Sequence, residues 1–274
     1  MDIAVSAREH RGLSSREREI LGELIRNGKT TIRNKDITEK FGLSRPLANK
    51  ILLRLEKKEW LKRASRGVYI LVPLSSPHPD IAPEDPWAMA LELFSPCYIS
   101  GFSAAEYWDL TEQVFNTIVV FTTRYQRKSN QRMANIHFLT HRIPERELFG
   151  TKKIWRNNIP VPIADRHRTV IDALDIPKLA GGGRHMMDIL RAYWTSSDSN
   201  PELLLKYALK LNRGVIFKRL AFTGELFGTV PNTWLKSCRD HISSGISKLD
   251  PAGPDKGPII TRWNLRINVP LEET

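Results

Sequence analysis

Between residues 14 and 72 the apolar positions keep a helical period three times, then change to the two-residue period of a strand. Ile20, Leu21, Leu24 and Ile25 form the inner face of a first helix, which Ser14 or Ser15 caps and Asn27-Gly28 ends. Thr30-Thr31-Ile32 is short and β-branched and suits a small strand beside a hairpin. Two further helices are predicted over 34–41 and 44–58, with Gly42-Leu43 between them. Gly42 supplies the positive φ that lets the first of these stop and the chain turn sharply. Ser44 is a natural N-cap, and Pro46 falls in the first turn, where a missing N–H costs nothing. Ala48, Leu52 and Leu55, with Leu47 and Ile51 beside them, are predicted to pack inward, while Arg45, Asn49 and Lys50 face out. Residues 60–72 then read as two β segments around a turn at Gly67, with Lys62, Arg63 and Arg66 at a basic tip. A tight helical corner followed by a basic hairpin is the order of parts in a winged helix-turn-helix.

The pattern changes at Pro73. Pro73, Pro77, Pro79, Pro83 and Pro86 exclude a helix or a central strand, and 73–86 is predicted to be a semi-rigid linker. Beyond it the chain mixes both periods. Helices are expected over 87–94, 103–108, 166–174, 184–194, 201–211 and 215–227, and strands over 97–99, 115–122, 136–139, 159–163 and, by strict alternation, 263–269. Asp165 is expected to cap the helix that follows it, and Gly181-Gly182-Gly183 to form a hinge or a turn into the next. The predicted fold class is therefore α+β: a winged helix-turn-helix over 1–72, the linker, and a mixed α/β domain rich in helices over 87–274.

Charge adds a function to this outline. The chain carries a formal net charge of +12, and residues 1–72 hold 17 Lys and Arg against 9 Asp and Glu, or +8 of that excess. Such concentration marks a polyanion-binding surface in the N-terminal quarter. Donor-rich Arg45, Asn49 and Lys50 suit base edges in a major groove, and Ser44, Arg54, Arg63, Ser65 and Arg66 suit phosphates. A second basic stretch, Arg124, Arg127, Lys128 and Arg132 with Tyr125 among them, is read either as an accessory contact to DNA or RNA or as a solvated loop. The partner implied is double-stranded DNA.

Other chemistries find little support. Cys97 and Cys238 give neither a disulfide framework nor zinc spacing and are read as reduced packing residues. A charged, polar N-terminus predicts no signal peptide, and no run of eighteen apolar residues predicts a membrane helix, so the expected location is cytoplasmic. His137 and His141 fall on a predicted strand, about 13 Å apart, too far to share a metal. Asp165, His167 and Asp172 could resemble acid/base groups, but Asp165 is better read as a cap and the other two as surface. Lys218-Arg219 is read as capping a helix face rather than holding nucleic acid. The sequence thus predicts no catalytic residue, no metal and no cofactor. An enzyme acting on nucleic acid, with the second domain catalytic, is the alternative.

Several stretches also carry a resemblance. These are Arg66-Gly67-Val68-Tyr69-Ile70-Leu71; Tyr98-Ile99-Ser100-Gly101-Phe102-Ser103-Ala104-Ala105 with Trp108-Asp109-Leu110-Thr111-Glu112-Gln113; Val119-Val120-Phe121-Thr122; Ile163-Ala164-Asp165-Arg166 with Arg168-Thr169-Val170-Ile171-Asp172; Pro177-Lys178-Leu179-Ala180-Gly181-Gly182; and Lys218-Arg219-Leu220. In this order, over about residues 30–230, the chain resembles the AbiEi-type antitoxins of type IV toxin–antitoxin systems. The resemblance implies a winged helix that binds inverted repeats upstream of its own operon and represses it. It also implies a second domain tied to antitoxicity and a nucleotidyltransferase-like toxin as functional partner, which the antitoxin need not bind stably. An orphan regulator without a toxin neighbour is the remaining alternative.

Overall fold

The computed structural model describes residues 12–26, 31–65, 67–72, 85–133, 135–156, 159–228 and 230–271. The chain begins with α1 (Ser15–Arg26), β1 (Thr31–Arg33), α2 (Asn34–Phe41), α3 (Arg45–Lys57), β2 (Leu61–Ser65) and β3 (Val68–Leu71). Ser14 and Glu17 form a reciprocal cap at the start of α1: the Ser14 N–H donates to the Glu17 carboxylate at 2.8 Å, and the Glu17 N–H donates to the Ser14 hydroxyl at 3.2 Å. Gly42 ends α2 with φ 61°, as its position predicts, and Ser44 stands at the N-cap of α3. Ala48, Ile51, Leu52 and Leu55 of α3 are buried with Ile20, Leu21 and Leu24 of α1 and with Ile37, Leu61 and Tyr69. Two expectations fail at the margins of the apolar stripes. Ile25 is 49% exposed and Leu47 is 42% exposed. Each lies at the edge of its stripe, where helical rotation carries the side chain past the core.

β1, β3 and β2 form an antiparallel sheet in that order, with Thr31 opposite Ile70 and Arg63 opposite Tyr69. Alternation gives this small sheet two faces. Ile32, Leu61 and Tyr69 turn to the three helices. Ile70, with Ala64 and Val68 against it, joins a second apolar cluster built by later residues.

That second cluster surrounds a six-stranded mixed sheet. Its elements are α4 (Pro86–Phe94), β4 (Cys97–Ile99), α5 (Gly101–Tyr107), β5 (Thr117–Thr122), β6 (Asn130–Met133), β7 (Ile136–Arg142), β8 (Thr151–Arg156) and β9 (Ile159–Ala164), with strand order β6-β7-β5-β4-β9-β8. Helices α6 (Arg166–Asp175), α7 (Gly183–Thr195), α8 (Pro201–Leu211), α9 (Gly214–Phe227) and α10 (Asn232–Arg239) gather around a third cluster, followed by the short strands β10 (Ser247–Lys248), β11 (Ile259–Ile260) and β12 (Leu265–Arg266). The protein is thus mixed α and β, with ten α-helices among the described residues.

Residues 73–84 of the expected linker lie outside the described residues, and its last position belongs to a helix. Asp85 caps α4, accepting from the Trp87 and Ala88 N–H groups, and Pro86 is the first helical residue. The helix expected from 103 begins at Gly101, whose φ of 56° and close approach to the Leu179 carbonyl both require glycine: a Cβ there would lie 2.3 Å from that oxygen. The basic loop expected over 124–132 runs into β6, so Arg132 sits on a strand opposite His137. The strand expected over 263–269 shrinks to β12, because a 3-10 turn covers Thr261–Trp263 and Asn264 is left-handed, with φ 48°. Gly181 and Gly182 make a turn into α7, both with positive φ.

Candidate nucleic-acid interface

A groove runs between α3 and the β2–β3 hairpin. It is lined by Arg33, Asn34, Lys35 and Thr38 on one wall, by Arg45, Asn49 and Leu53 along α3, and by Arg63, Val68 and Tyr69 on the hairpin. Four of these side chains are cationic and none is acidic. Arg45, Asn49 and Leu53 are four residues apart, so they form one row along the helix, about 6 Å between successive members. The row is held in place from below. The Asn34 side-chain amide donates to the Asn49 Oδ1 at 2.7 Å and to the Arg45 carbonyl at 3.0 Å, tying the start of α2 to the first turns of α3.

The structure separates the residues singled out in the sequence. Arg45, Asn49 and Arg63 line the groove. Ser44 stands exposed at the N-cap of α3, and its hydroxyl makes no capping bond, so it remains available to a phosphate. Lys50 is exposed on α3 beside the row rather than in it. Arg54 lies elsewhere: its Nε is 3.8 Å from the Glu17 Oε1, toward α1 and away from the groove. Lys62 alternates with Arg63 along β2 and so points to the opposite face, the side of the sheet that packs on the later cluster. Arg66 and the side chain of Ser65 lie outside the described residues. Sequence reasoning missed Arg33, Lys35 and Leu53. Arg33 and Lys35 sit where β1 passes into α2, and only the pairing of β1 with β3 brings them to the groove.

Glu17 anchors the helices behind this surface. Its carboxylate is 2% exposed and accepts from the Lys58 Nζ at 2.7 Å. Burial works to raise its pKa, but the bonds from Lys58 and from the Ser14 N–H and hydroxyl outweigh it and hold the group down at about 2. A depressed carboxylate contributes stability above its unfolded pKa of 4.5 and loses it as pH falls toward 2. Hydrogen exchange of amides in residues 31–71 should therefore show the wild type losing about 2 kcal/mol more stability than Glu17→Gln between pH 5 and pH 2. Parallel curves would remove Glu17 from the account.

The groove borders the rest of the protein at the C-terminal end of α4. Arg33 donates to the Glu92 carbonyl at 2.9 Å, and Arg124 reaches the adjoining Leu93 carbonyl at 3.4 Å. Both cations meet the negative end of the helix dipole. The Thr31 N–H donates to the Glu92 carboxylate at 2.6 Å, and its hydroxyl donates to the same oxygen. The basic stretch with exposed Arg124, Arg127, Lys128 and Arg132, and with Tyr125 74% exposed, thus begins beside the groove wall.

The residues considered for catalysis are occupied by the fold. Asp165 caps α6 through the Arg168 N–H at 2.7 Å and accepts from the Tyr207 hydroxyl at 2.7 Å. Asp172, expected at the surface, is 1% exposed. It accepts from Arg168 Nε at 2.8 Å, from the Ser100 hydroxyl at 2.6 Å and from the Tyr98 hydroxyl at 3.1 Å. Arg168, also 1% exposed, donates in turn to the Tyr98 hydroxyl at 2.8 Å. His167 is half-buried against the Tyr193 hydroxyl at 2.8 Å, and burial lowers its pKa. His137 and His141 sit on one face of β7. Lys218 and Arg219 are buried and serve backbone: Lys218 donates to the Gly245 carbonyl, and Arg219 to the Leu174 carbonyl at 2.5 Å and the Lys248 carbonyl at 2.9 Å. The expectation of a helix cap holds for Arg219 at the C-terminal end of α6 rather than on its own helix, and the other carbonyls the pair satisfies belong to the segment 245–248.

Among the described residues no helix is long and apolar enough to cross a membrane. Residues 19–72, the span that contains the groove, match the model of a family described as "Transcriptional regulator, AbiEi antitoxin". The match covers about a fifth of the chain and overlaps the resemblance at the hairpin. No curated protein matches the chain.

Proposed function

We propose that this protein is a transcriptional repressor of its own operon and the antitoxin of a type IV toxin–antitoxin pair. Residues 1–72 act as a winged helix and the chain from α4 onward as the antitoxin domain, with Asp85 and Pro86, the last two positions of the expected linker, already the cap and first residue of α4. The observation that carries the reading is the groove of Arg33, Lys35, Arg45 and Arg63, with no acidic side chain among the described lining residues, within the span matched by the regulator family. Arg45, Asn49 and Lys50 read base edges of an inverted repeat, with α3 in the major groove. Ser44, Arg63, Ser65 and Arg66 hold phosphates, while Arg54 supports α3 through Glu17. Arg124, Arg127, Lys128 and Arg132 extend the phosphate contacts beyond the groove, because Arg124 and Arg33 share the end of α4.

The reading is of a protein that works by binding, and it is supported by Asp165 and Asp172, the carboxylates weighed for catalysis, being tied into the framework of the fold. It acts in the cytoplasm, on DNA, against a nucleotidyltransferase-like toxin. Footprinting on the DNA upstream of its gene should show protection of an inverted repeat, and a reporter behind that DNA should be repressed. Co-expression with the neighbouring gene product tests the antitoxin half: growth should be rescued by the full chain. Protection and repression without rescue would leave an orphan regulator. Divalent-metal-dependent nucleic-acid cleavage or nucleotide transfer by the purified chain would replace both readings with an enzyme.

A further inference from the structure

We propose that Leu53 reads the C5-methyl group of a thymine in each half of the operator, about two base steps beyond the base read by Asn49. The inference rests on the groove being a DNA site and assigns the base class at one position in it. Leu53 is 45% exposed, although it lies on a helix whose other groove-facing side chains are polar. A single exposed leucine is unremarkable in a soluble protein, and Leu47 on the same helix is also exposed. Leu47, however, does not line the groove, whereas Leu53 continues the row begun by Arg45 and Asn49. The row is fixed in rotation by Asn34, which holds the Asn49 side chain and the Arg45 carbonyl together. From Arg45 to Leu53 the helix rises about 12 Å, which spans three to four base steps of about 3.4 Å each.

A major groove offers an apolar side chain one distinctive partner, the thymine methyl, while its other features are hydrogen-bond donors and acceptors. A guanidinium, a carboxamide and a leucine in sequence therefore suit a guanine, an adenine and a thymine in that order along the half-site. Leucine at this place leaves the edge of any other base without a partner, so the contact discriminates as well as attracts.

The test uses the full chain and a duplex carrying the sequence footprinted upstream of its gene, with each thymine replaced in turn by deoxyuridine. Wild type should lose affinity about fourfold at one thymine per half-site, the worth of one buried methyl group. Leu53→Ala should bind the natural duplex more weakly and be indifferent to that replacement. Leu53 is exposed, so the variant keeps its fold, and unchanged circular dichroism with unchanged affinity for random duplex checks this. The proposal is overturned if wild type and variant respond alike to every replacement, or if Leu53→Ala weakens natural and random duplex equally. Absence of any footprint would instead remove the DNA reading on which it stands.

Discussion

Replacing Asp172 with alanine should destabilise the second part of the protein by about 3–5 kcal/mol, enough to leave much of it unfolded at 37 °C. The reason is the charge left behind. Arg168 is 1% exposed and holds Asp172, the Tyr98 hydroxyl and the faces of Phe149 and Tyr98 around one guanidinium. Removing the carboxylate strands that cation in the interior and also orphans the Ser100 hydroxyl, which donates to Asp172 at 2.6 Å. Burial alone pushes the Asp172 pKa up, against Arg168, Ser100 and Tyr98, and the Arg168 pKa is raised by its partner despite its own burial. Urea denaturation followed by tryptophan fluorescence measures the loss. An apolar pair, Asp172→Leu with Arg168→Met, should recover most of it, because the cost lies in the unpaired charge. A loss below about 1 kcal/mol for Asp172→Ala would mean that the network is not what holds β4 to α6.

Arg45→Ala should lower discrimination between operator and random duplex by about 1–3 kcal/mol, or roughly 5- to 150-fold in the affinity ratio. Arg45 opens the α3 row and faces the groove, and Asn34 on its carbonyl fixes where the side chain starts. Arg63→Ala should behave differently. Arg63 lies across the groove on β2, and the phosphate contact proposed for it would carry affinity without sequence. Its loss should weaken binding to both duplexes by the same factor and reduce the slope of log affinity against log salt by about 1. Anisotropy titrations of both variants, at several salt concentrations on both duplexes, separate the two roles. Equal losses of affinity on the two duplexes for both variants would contradict the division of labour.

The helices and strands described between residues 15 and 71 were legible because they are local elements. Ile20, Leu21, Leu24 and the α3 stripe declare a helix by spacing alone, and Gly42 and Ser44 mark its corner. What was not legible depended on the tertiary fold. Arg54 carries the same charge as Arg45, but nine residues of helical rotation aim it at Glu17 instead of the groove. Lys62 and Arg63 are adjacent in sequence and fall on opposite faces of one strand. β8 was missed because Lys152, Lys153 and Arg156 fill an edge strand whose only apolar members are Ile154 and Trp155, the latter 73% exposed. Its partner β9, expected over 159–163, carries Pro160 and Pro162 and pairs through the residues between and around them. α10 escaped because only Trp234 and Cys238 among its eight residues are buried. The ion pair of Arg168 and Asp172 shows the same limit. Four residues apart on a helix, they look like a surface pair until Tyr98 and Ser100, some seventy residues earlier, close over them.

The central claim is that α3 and the hairpin form a cationic reading head for duplex DNA. The most direct measurement is an anisotropy titration of the purified chain against a duplex from upstream of its own gene and a scrambled duplex, at about 50 and 200 mM salt. The account predicts tighter binding to the upstream duplex at both concentrations, with a steep loss for both duplexes as salt rises, by a factor of about 1,000 or more if six or more phosphates are contacted. Equal binding to the two duplexes at both concentrations, or no binding to either at 50 mM, would contradict it.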